Sequence, residues 1–149
     1  MGKQLQKQPD VGDMAPDLRL ELLGGGQESL RADEPVLLVF FKISCPTCQY
    51  TLPYLERVPP GIKIRGISQN DAEDTREFAE QFGLTFPILL DPEGRFPASN
   101  AFGITYVPTM FLLEPGGRIQ KVIEGWNKQD MVDLGAVGAA ENVPAWKAG

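Results

Sequence analysis

The feature that most constrains the fold is a short apolar segment that leads into the only two cysteines of the chain. Val36–Phe41 is continuously apolar and rich in β-prone residues. Such a segment is typical of a strand buried on both faces of a sheet. Cys45 and Cys48 follow it, and a helix over 46–57 is predicted next, since that segment starts with a proline. The cysteines are therefore expected where a buried strand turns into a helix.

The rest of the chain alternates between strand and helix patterns. Asn70, with Glu73 three residues later, is predicted to cap a helix that Gly83 ends. The order of elements predicts an α/β fold, with a central mixed β-sheet flanked by helices and an N-terminal β-hairpin extension. The predicted strands are 17–22, 27–30, 36–41, 62–67, 87–90, 109–113 and 117–124, and the further helices are 71–82, 96–102 and 129–140.

The length of the chain, 149 residues, predicts one domain with a core over about 10–140. Neither end shows a helix or strand pattern. Residues 1–10 and the last residues, 142–149, are therefore expected to be loose.

Charge and composition argue against several classes of function. The net charge is −6 without a basic tract, which disfavours nucleic acid and anionic membranes as partners. The longest apolar run is too short for a membrane span, and no secretory signal pattern is found. We expect a cytoplasmic monomer, although an exported or periplasmic chain trimmed of its signal would look the same.

The absence of histidine excludes a His general base, a His-activated nucleophile and His metal ligands.

The two cysteines allow three interpretations. A CxxC pair beside a βαβ pattern is typical of a dithiol redox site, where the amides of the first helical turn stabilise a thiolate at Cys45. Lys42 could add positive potential there. Half of a zinc site would need carboxylates or a second chain to complete four ligands. A purely structural disulfide is the third interpretation, although so short a loop restricts the unfolded chain little.

Two prolines add to the redox interpretation. Pro53 falls inside the helix that follows the cysteines, where a proline costs about 3 kcal/mol and kinks the helix. Pro108 follows Val107 immediately before a β-prone run. It is either an ordinary start of a strand or a cis-proline that the fold places beside the cysteines.

Together these features resemble the thioredoxin superfamily, in its TlpA-like or peroxiredoxin-like (redoxin, AhpC/TSA-type) branch. The resemblance covers about residues 10–140. "SCPTC" is similar to the active-site motif of thioredoxins, and "FGITYVPTMFLLEPGGRI" is similar to the stretch that carries the family's cis-proline. "VGDMAPDLRLELLGG" resembles the N-terminal extension of this branch, and "FPILLDPEGRFPASNAFGI" resembles its insertion.

The resemblance implies a thiol-disulfide oxidoreductase that needs no bound cofactor or metal and acts on a protein partner. Cys45 would be the attacking thiol and Cys48 the resolving thiol. Pro108 would be cis, and the backbone of Val107 would pair with an extended substrate chain. The substrate site would also include Ser44, Pro46 and Thr47.

The sequence departs from the family pattern at the groups that would handle protons. Val39 stands where thioredoxin has a buried acid, and Thr51 stands where some TlpA-like proteins have a glutamate. No carboxylate is therefore predicted to accept the proton of Cys48.

Two other functions compete with disulfide exchange. A peroxiredoxin would need Cys48 as its peroxidatic thiol, but Cys45 then breaks the motif at its threonine position. A non-catalytic binding module would bind its partner in the cleft beside Pro108, and its disulfide would be purely structural.

Overall fold

A computed structural model describes residues 7–149, so residues 1–6 of the N-terminal segment that was expected to be loose lie outside the described residues. The chain forms nine strands and four helices within this range. The strands are β1 (Arg19–Leu22), β2 (Gln27–Ser29), β3 (Val36–Phe41), β4 (Lys63–Ser68), β5 (Ile88–Leu90), β6 (Thr109–Leu113), β7 (Ile119–Glu124), β8 (Trp126–Asn127) and β9 (Trp146–Lys147). The helices are α1 (Pro46–Leu55), α2 (Ala72–Phe82), α3 (Pro97–Ala101) and α4 (Lys128–Asp133).

Seven strands form one mixed sheet in the order β2-β1-β5-β4-β3-β6-β7. Strand β3 pairs parallel with β4 and antiparallel with β6, and β1 and β2 form the N-terminal hairpin on one edge. All six residues of β3 are buried, as expected for an apolar strand in the middle of a sheet. The predicted α/β fold, with its central mixed sheet and hairpin extension, is confirmed.

Several predicted boundaries need correction. Asn70 does not cap α2. Asp71 is the N-cap, and its carboxylate accepts a hydrogen bond from the Asp74 amide at 2.8 Å. Gly83 ends the helix in the left-handed conformation, as predicted. The last helix, predicted over 129–140, ends at Asp133, because the chain turns away through Gly135 at a φ of +81°.

The C-terminal residues form a strand that the sequence did not predict. Strand β9 pairs antiparallel with β8, so that Trp126 faces Lys147. The indole Nε1 of Trp126 donates to the Pro144 carbonyl oxygen at 2.6 Å, and the Trp126 side chain is fully buried. This pairing holds 144–147 against the end of the sheet that carries the cysteines.

No helix in residues 7–149 combines the length and the apolar character that a bilayer crossing requires.

Candidate active site

The two cysteines lie where β3 turns into α1, as predicted. The turn is short, and the Cys45 amide donates to the Lys42 carbonyl oxygen at 3.3 Å. Ile43 is held on both sides of its backbone: its amide donates to the Asn70 side chain at 3.0 Å, and its carbonyl accepts from the Gln49 side chain at 2.9 Å. These contacts fix the loop before the first cysteine.

Cys45 is the N-cap of α1. Its sulfur accepts a hydrogen bond from the Cys48 amide at 3.0 Å, in the way that a serine or aspartate oxygen caps a helix. No acidic residue lies in the first turn to oppose a negative charge. The helix terminus and its dipole therefore stabilise the thiolate form of this residue.

The pKa of Cys45 falls to about 6, mainly because the Cys48 thiol donates a hydrogen bond to the thiolate. Partial burial opposes this change. The amides of Cys48 and Thr47 lower the pKa further, and the charge of Lys42 contributes least. The effect suggested for Lys42 is therefore present but smaller than that of the hydrogen bonds.

Cys48 behaves in the opposite way. Its side chain is completely buried, and this burial raises the pKa of its thiol above the ordinary range. The hydrogen bond that it donates to Cys45 raises the pKa further. At neutral pH the reduced site therefore holds one thiolate, at Cys45, and one proton, on Cys48.

The segment before β6 also borders the site. The Val107–Pro108 peptide bond is cis, as the resemblance implied, and both residues are buried. The Cys45 sulfur lies 3.6 Å from the Val107 carbonyl oxygen, to which the protonated thiol, but not the thiolate, can donate a hydrogen bond. Residues 62 positions apart in sequence thus meet at the reactive sulfur.

The other predicted site residues differ in their exposure. Ser44 and Pro46 are exposed on either side of Cys45. Thr47 is half-buried, and its hydroxyl donates to the Ala148 carbonyl oxygen at 2.6 Å. The residues that were proposed to bind substrate therefore surround Cys45, but one of them already contacts the C-terminal segment.

Thr51 occupies the position at which a proton acceptor was sought. Its hydroxyl is buried on α1 and has no hydrogen-bond partner among the described residues. The charges that act on the pKa of Cys48 come from Cys45 and Lys42, and neither is a carboxylate.

The two residues that support the loop, Asn70 and Gln49, were not predicted to belong to the site. Asn70 was expected to cap a helix instead. The position of Asn70 directly after a buried strand, beside the strand that carries the cysteines, was the only signal, because neighbouring parallel strands end at one edge of a sheet.

The low pKa of Cys45 predicts how its reactivity depends on pH. The rate of alkylation by iodoacetamide is expected to rise with pH, to reach half its maximum near pH 6 and to level off above about pH 7.5, since only the thiolate reacts. Mass spectrometry of the reduced protein would follow the reaction, and Cys48 should stay unmodified because it is buried. A midpoint near 8.5, the value of an unperturbed cysteine, would contradict the stabilisation described above.

Comparison with known proteins agrees with this geometry. A model of the AhpC/TSA family matches residues 11–122. The thiol-disulfide oxidoreductase ResA of Geobacillus thermodenitrificans is 33% identical over 130 residues, which are 81% of this chain and 74% of that protein.

Solved structures show the same fold. A proposed protein disulfide isomerase from Bacteroides thetaiotaomicron superposes with a TM-score of 0.76 and 26% identity, over 89% of both chains. The thioredoxin domain of a thiol-disulfide oxidoreductase from Bacteroides vulgatus superposes with a TM-score of 0.75 and 22% identity, over 85% of this chain and 95% of that one. The thioredoxin-like fold is confirmed by these similarities.

Proposed function

Since the chain belongs to the AhpC/TSA family and is a thiol-disulfide oxidoreductase, we propose that Cys45 and Cys48 carry out its reaction on disulfides of a protein partner. The observation that supports this assignment is that the pKa values of the two thiols move in opposite directions, mainly through the hydrogen bond between them and the burial of Cys48. Cys45 is half-exposed with a lowered pKa, and Cys48 is buried with a raised pKa. An attacking thiol must be ionised and accessible, whereas a resolving thiol must stay protonated until the partner is attached.

The first step joins the enzyme to its partner. The Cys45 thiolate attacks one sulfur of the partner's disulfide, the partner's sulfur–sulfur bond breaks, and the other partner sulfur leaves as a thiolate. The product is a mixed disulfide between Cys45 and the partner. Its formation removes the negative charge that the first turn of α1 had stabilised.

The second step releases the partner. Cys48 loses its proton and attacks the Cys45 sulfur, and the second partner sulfur leaves with the electron pair of the broken bond. The two cysteines have then given up two electrons in forming their disulfide, and these electrons reduce the partner to a dithiol. The reverse sequence oxidises a partner dithiol.

The proton of Cys48 goes to the departing partner sulfur in this proposal. Cys45 no longer accepts its hydrogen bond once the mixed disulfide has formed, and Thr51, the nearest position on the same helix face, offers a hydroxyl instead of a carboxylate. The partner thiolates are the strongest bases that the reaction brings to this buried position.

A peroxidase is not favoured. A peroxidatic cysteine must be an accessible thiolate, and the motif would assign that role to Cys48. Cys48 is buried and its pKa is raised, so the geometry opposes the role that the motif already contradicted.

We also propose that the protein works in an exported compartment instead of the cytoplasm. Protein disulfides persist outside the cytosol and are rare within it, so the substrates of this chemistry are concentrated there. Fractionation of cells that express the full-length protein would test this assignment.

A redox titration would test the proposed pair directly. The protein is equilibrated in thiol buffers of set potential, and alkylated cysteines are counted by mass. A midpoint between about −270 and −120 mV is expected for an exchange couple, whereas one below about −300 mV would identify a structural disulfide and favour the binding module.

The pH dependence of this midpoint gives a second prediction. Each proton taken up in the two-electron reduction lowers the midpoint by about 30 mV per pH unit. Below pH 6 both thiols take up a proton, so the slope is about −60 mV per pH unit. Above pH 6 Cys45 stays ionised and the slope is about −30 mV. A constant slope from pH 5 to pH 8 would contradict the assignment of the thiolate.

A further inference from the structure

The C-terminal residues reach the reactive cysteine from outside the thioredoxin-like sheet. Ala148 accepts a hydrogen bond from Thr47, which lies between the two cysteines. Its neighbour Lys147 belongs to β9 and is paired with Trp126 of β8. We call the segment Trp146–Gly149 the tail and the segment 42–48, which carries both cysteines, the dithiol loop. The tail therefore runs from the edge of the sheet to the dithiol loop.

Two glycines show how closely the tail fits. A Cβ atom on Gly125 would lie 2.5 Å from the Lys147 carbonyl oxygen and 3.2 Å from the Gly149 nitrogen. A Cβ atom on Gly149 would lie 2.5 Å from the Val107 carbonyl oxygen and 2.8 Å from the Tyr106 ring. Real Cβ atoms do not approach so closely, so the tail fits in this position only because both residues are glycine.

The tail is thus in contact with three segments of the chain around Cys45. They are the dithiol loop at Thr47, the loop after β7 at Gly125, and the segment before the cis-proline at Val107. The Val107 carbonyl oxygen next to Gly149 is also the one that lies 3.6 Å from the Cys45 sulfur. The tail lies where a partner polypeptide must come to bring its disulfide to that sulfur.

Side chains hold the tail in place from the opposite side. The Lys147 ammonium lies 5.0 Å from the centre of the Tyr50 ring, within the range of a cation–π interaction. Tyr50 in turn packs edge-on against the buried Trp126, with ring centres 4.8 Å apart. The tail is therefore anchored through Lys147, which lies over Tyr50 and pairs with Trp126. Its last two residues, Ala148 and Gly149, make their contacts mainly through backbone atoms.

We propose that the tail occupies the groove that Thr47, Val107 and Gly125 border beside Cys45, which we call the substrate groove, and that an extended segment of the partner replaces it there. This inference rests on the proposed role of Cys45. The backbone contacts of Ala148 and Gly149 indicate the kind of partner segment that fits: an extended chain with small residues beside its cysteine. A bulky side chain at the place of Gly149 would collide with Val107 and Tyr106.

The tail lowers the apparent affinity for such a partner, because only the fraction of molecules with an open groove can bind it. Small disulfides need little of the groove. Because Cys45 stays half-exposed beside the tail, a small aromatic disulfide reaches its sulfur in either state. The tail therefore selects against extended partners without protecting the thiolate from small reagents.

The test compares two disulfides and three variants of the reduced protein. The extended probe is a synthetic peptide with one cysteine between glycine and alanine residues, supplied as its mixed disulfide with glutathione. The small probe is dithiodipyridine. One variant ends at Ala145, which keeps the hydrogen bonds of the Pro144 and Ala145 carbonyls to Trp126 and Lys128. The second variant is Gly149→Ala, and the control is Gly138→Ala, where nothing lies closer than 3.9 Å to the added methyl group.

The variant that ends at Ala145 is expected to react about tenfold faster with the peptide disulfide, which corresponds to about 1.4 kcal/mol. Gly149→Ala should react faster by about threefold, and Gly138→Ala should match the parent. The rate with dithiodipyridine should stay within twofold in all of them. Thermal unfolding would confirm that each variant is folded, and Gly149→Ala serves as the test if the shortened chain is not.

An unchanged or slower reaction of the tail variants with the peptide disulfide would overturn the inference. An unchanged rate would mean that the tail does not affect partner binding, and a slower rate would mean that the tail itself helps to bind the partner. Failure of every variant, and of the parent, to react with dithiodipyridine would instead overturn the role of Cys45. The two failures are therefore distinguishable.

Discussion

Serine in place of Cys45 is expected to abolish disulfide exchange while the protein stays folded. At pH 7 a thiol with a pKa of about 6 is roughly 90% ionised, whereas a serine hydroxyl is not measurably ionised. Serine also forms no disulfide, so no mixed disulfide can be made. We expect the rate of reduction of insulin or of dithiodipyridine to fall by at least about 10³-fold, to the level of the uncatalysed reaction.

Because of the position of Cys45, this variant should remove the reactive sulfur without removing the helix cap. The residue caps α1 through its sulfur, and serine is among the best N-cap residues. The hydroxyl oxygen of the Cys45→Ser variant can accept the same hydrogen bond from the Cys48 amide. At pH 5, where the Cys45 thiol is protonated in the folded and unfolded states alike, the free energy of unfolding should therefore change by less than about 1 kcal/mol. At pH 7 the variant also loses the stabilisation that the low pKa of the Cys45 thiol provides. Chemical denaturation of the reduced proteins would measure this. Residual turnover in a folded Cys45→Ser protein would show that the nucleophile has been assigned wrongly.

The sequence predicts the centre of this molecule better than its periphery. Val36–Phe41 is a strand with the predicted boundaries, because six consecutive apolar residues before a polar turn are compatible with little else. Thr109–Leu113 also has its predicted boundaries, because a β-prone run followed by Glu-Pro-Gly-Gly indicates the first strand of a hairpin. These two neighbouring strands carry the segments that meet at the active site, so the site follows from the most predictable part of the fold.

The tail and the support of the dithiol loop were not predictable in this way. Trp146 and Lys147 show no strand pattern of their own, and their pairing depends on β8, which is only two residues long. Asn70 suits a helix cap by its type and spacing, but its side chain turns to the Ile43 amide and leaves the cap to Asp71. Both features depend on contacts between residues that are distant in sequence, and local sequence patterns do not predict such contacts.

One local structure explains both halves of the proposed reaction. The first turn of α1 exposes Cys45 and directs amides at it, and the same turn places Cys48 on the buried face of the helix. The CxxC spacing therefore produces one ionised and one protonated thiol from two identical side chains. No carboxylate is needed to establish this difference, although one would speed the loss of the second proton.

Serine in place of Cys48 is expected to stop the reaction halfway. Attack by Cys45 needs only its own thiolate, and the serine hydroxyl can still donate to that thiolate, so the pKa of Cys45 should stay low. Release of the partner needs a second sulfur, which the variant lacks. Mixed disulfides should therefore accumulate, and catalytic turnover should fall by at least about 10²-fold while the first, stoichiometric reaction keeps its rate within about threefold.

The matched comparison for this variant is Cys48→Ala, which removes the hydrogen bond as well as the sulfur. Alanine should also block release, but the pKa of Cys45 should rise, since the hydrogen bond from Cys48 is the largest cause of its low value. At pH 6.5 the alanine variant should therefore form the mixed disulfide more slowly than the serine variant, and the two rates should converge above about pH 9. Non-reducing electrophoresis and stopped-flow mixing would measure both effects. Equal rates at pH 6.5 would mean that the helix terminus alone activates Cys45, and sustained turnover by either variant would remove Cys48 from the mechanism.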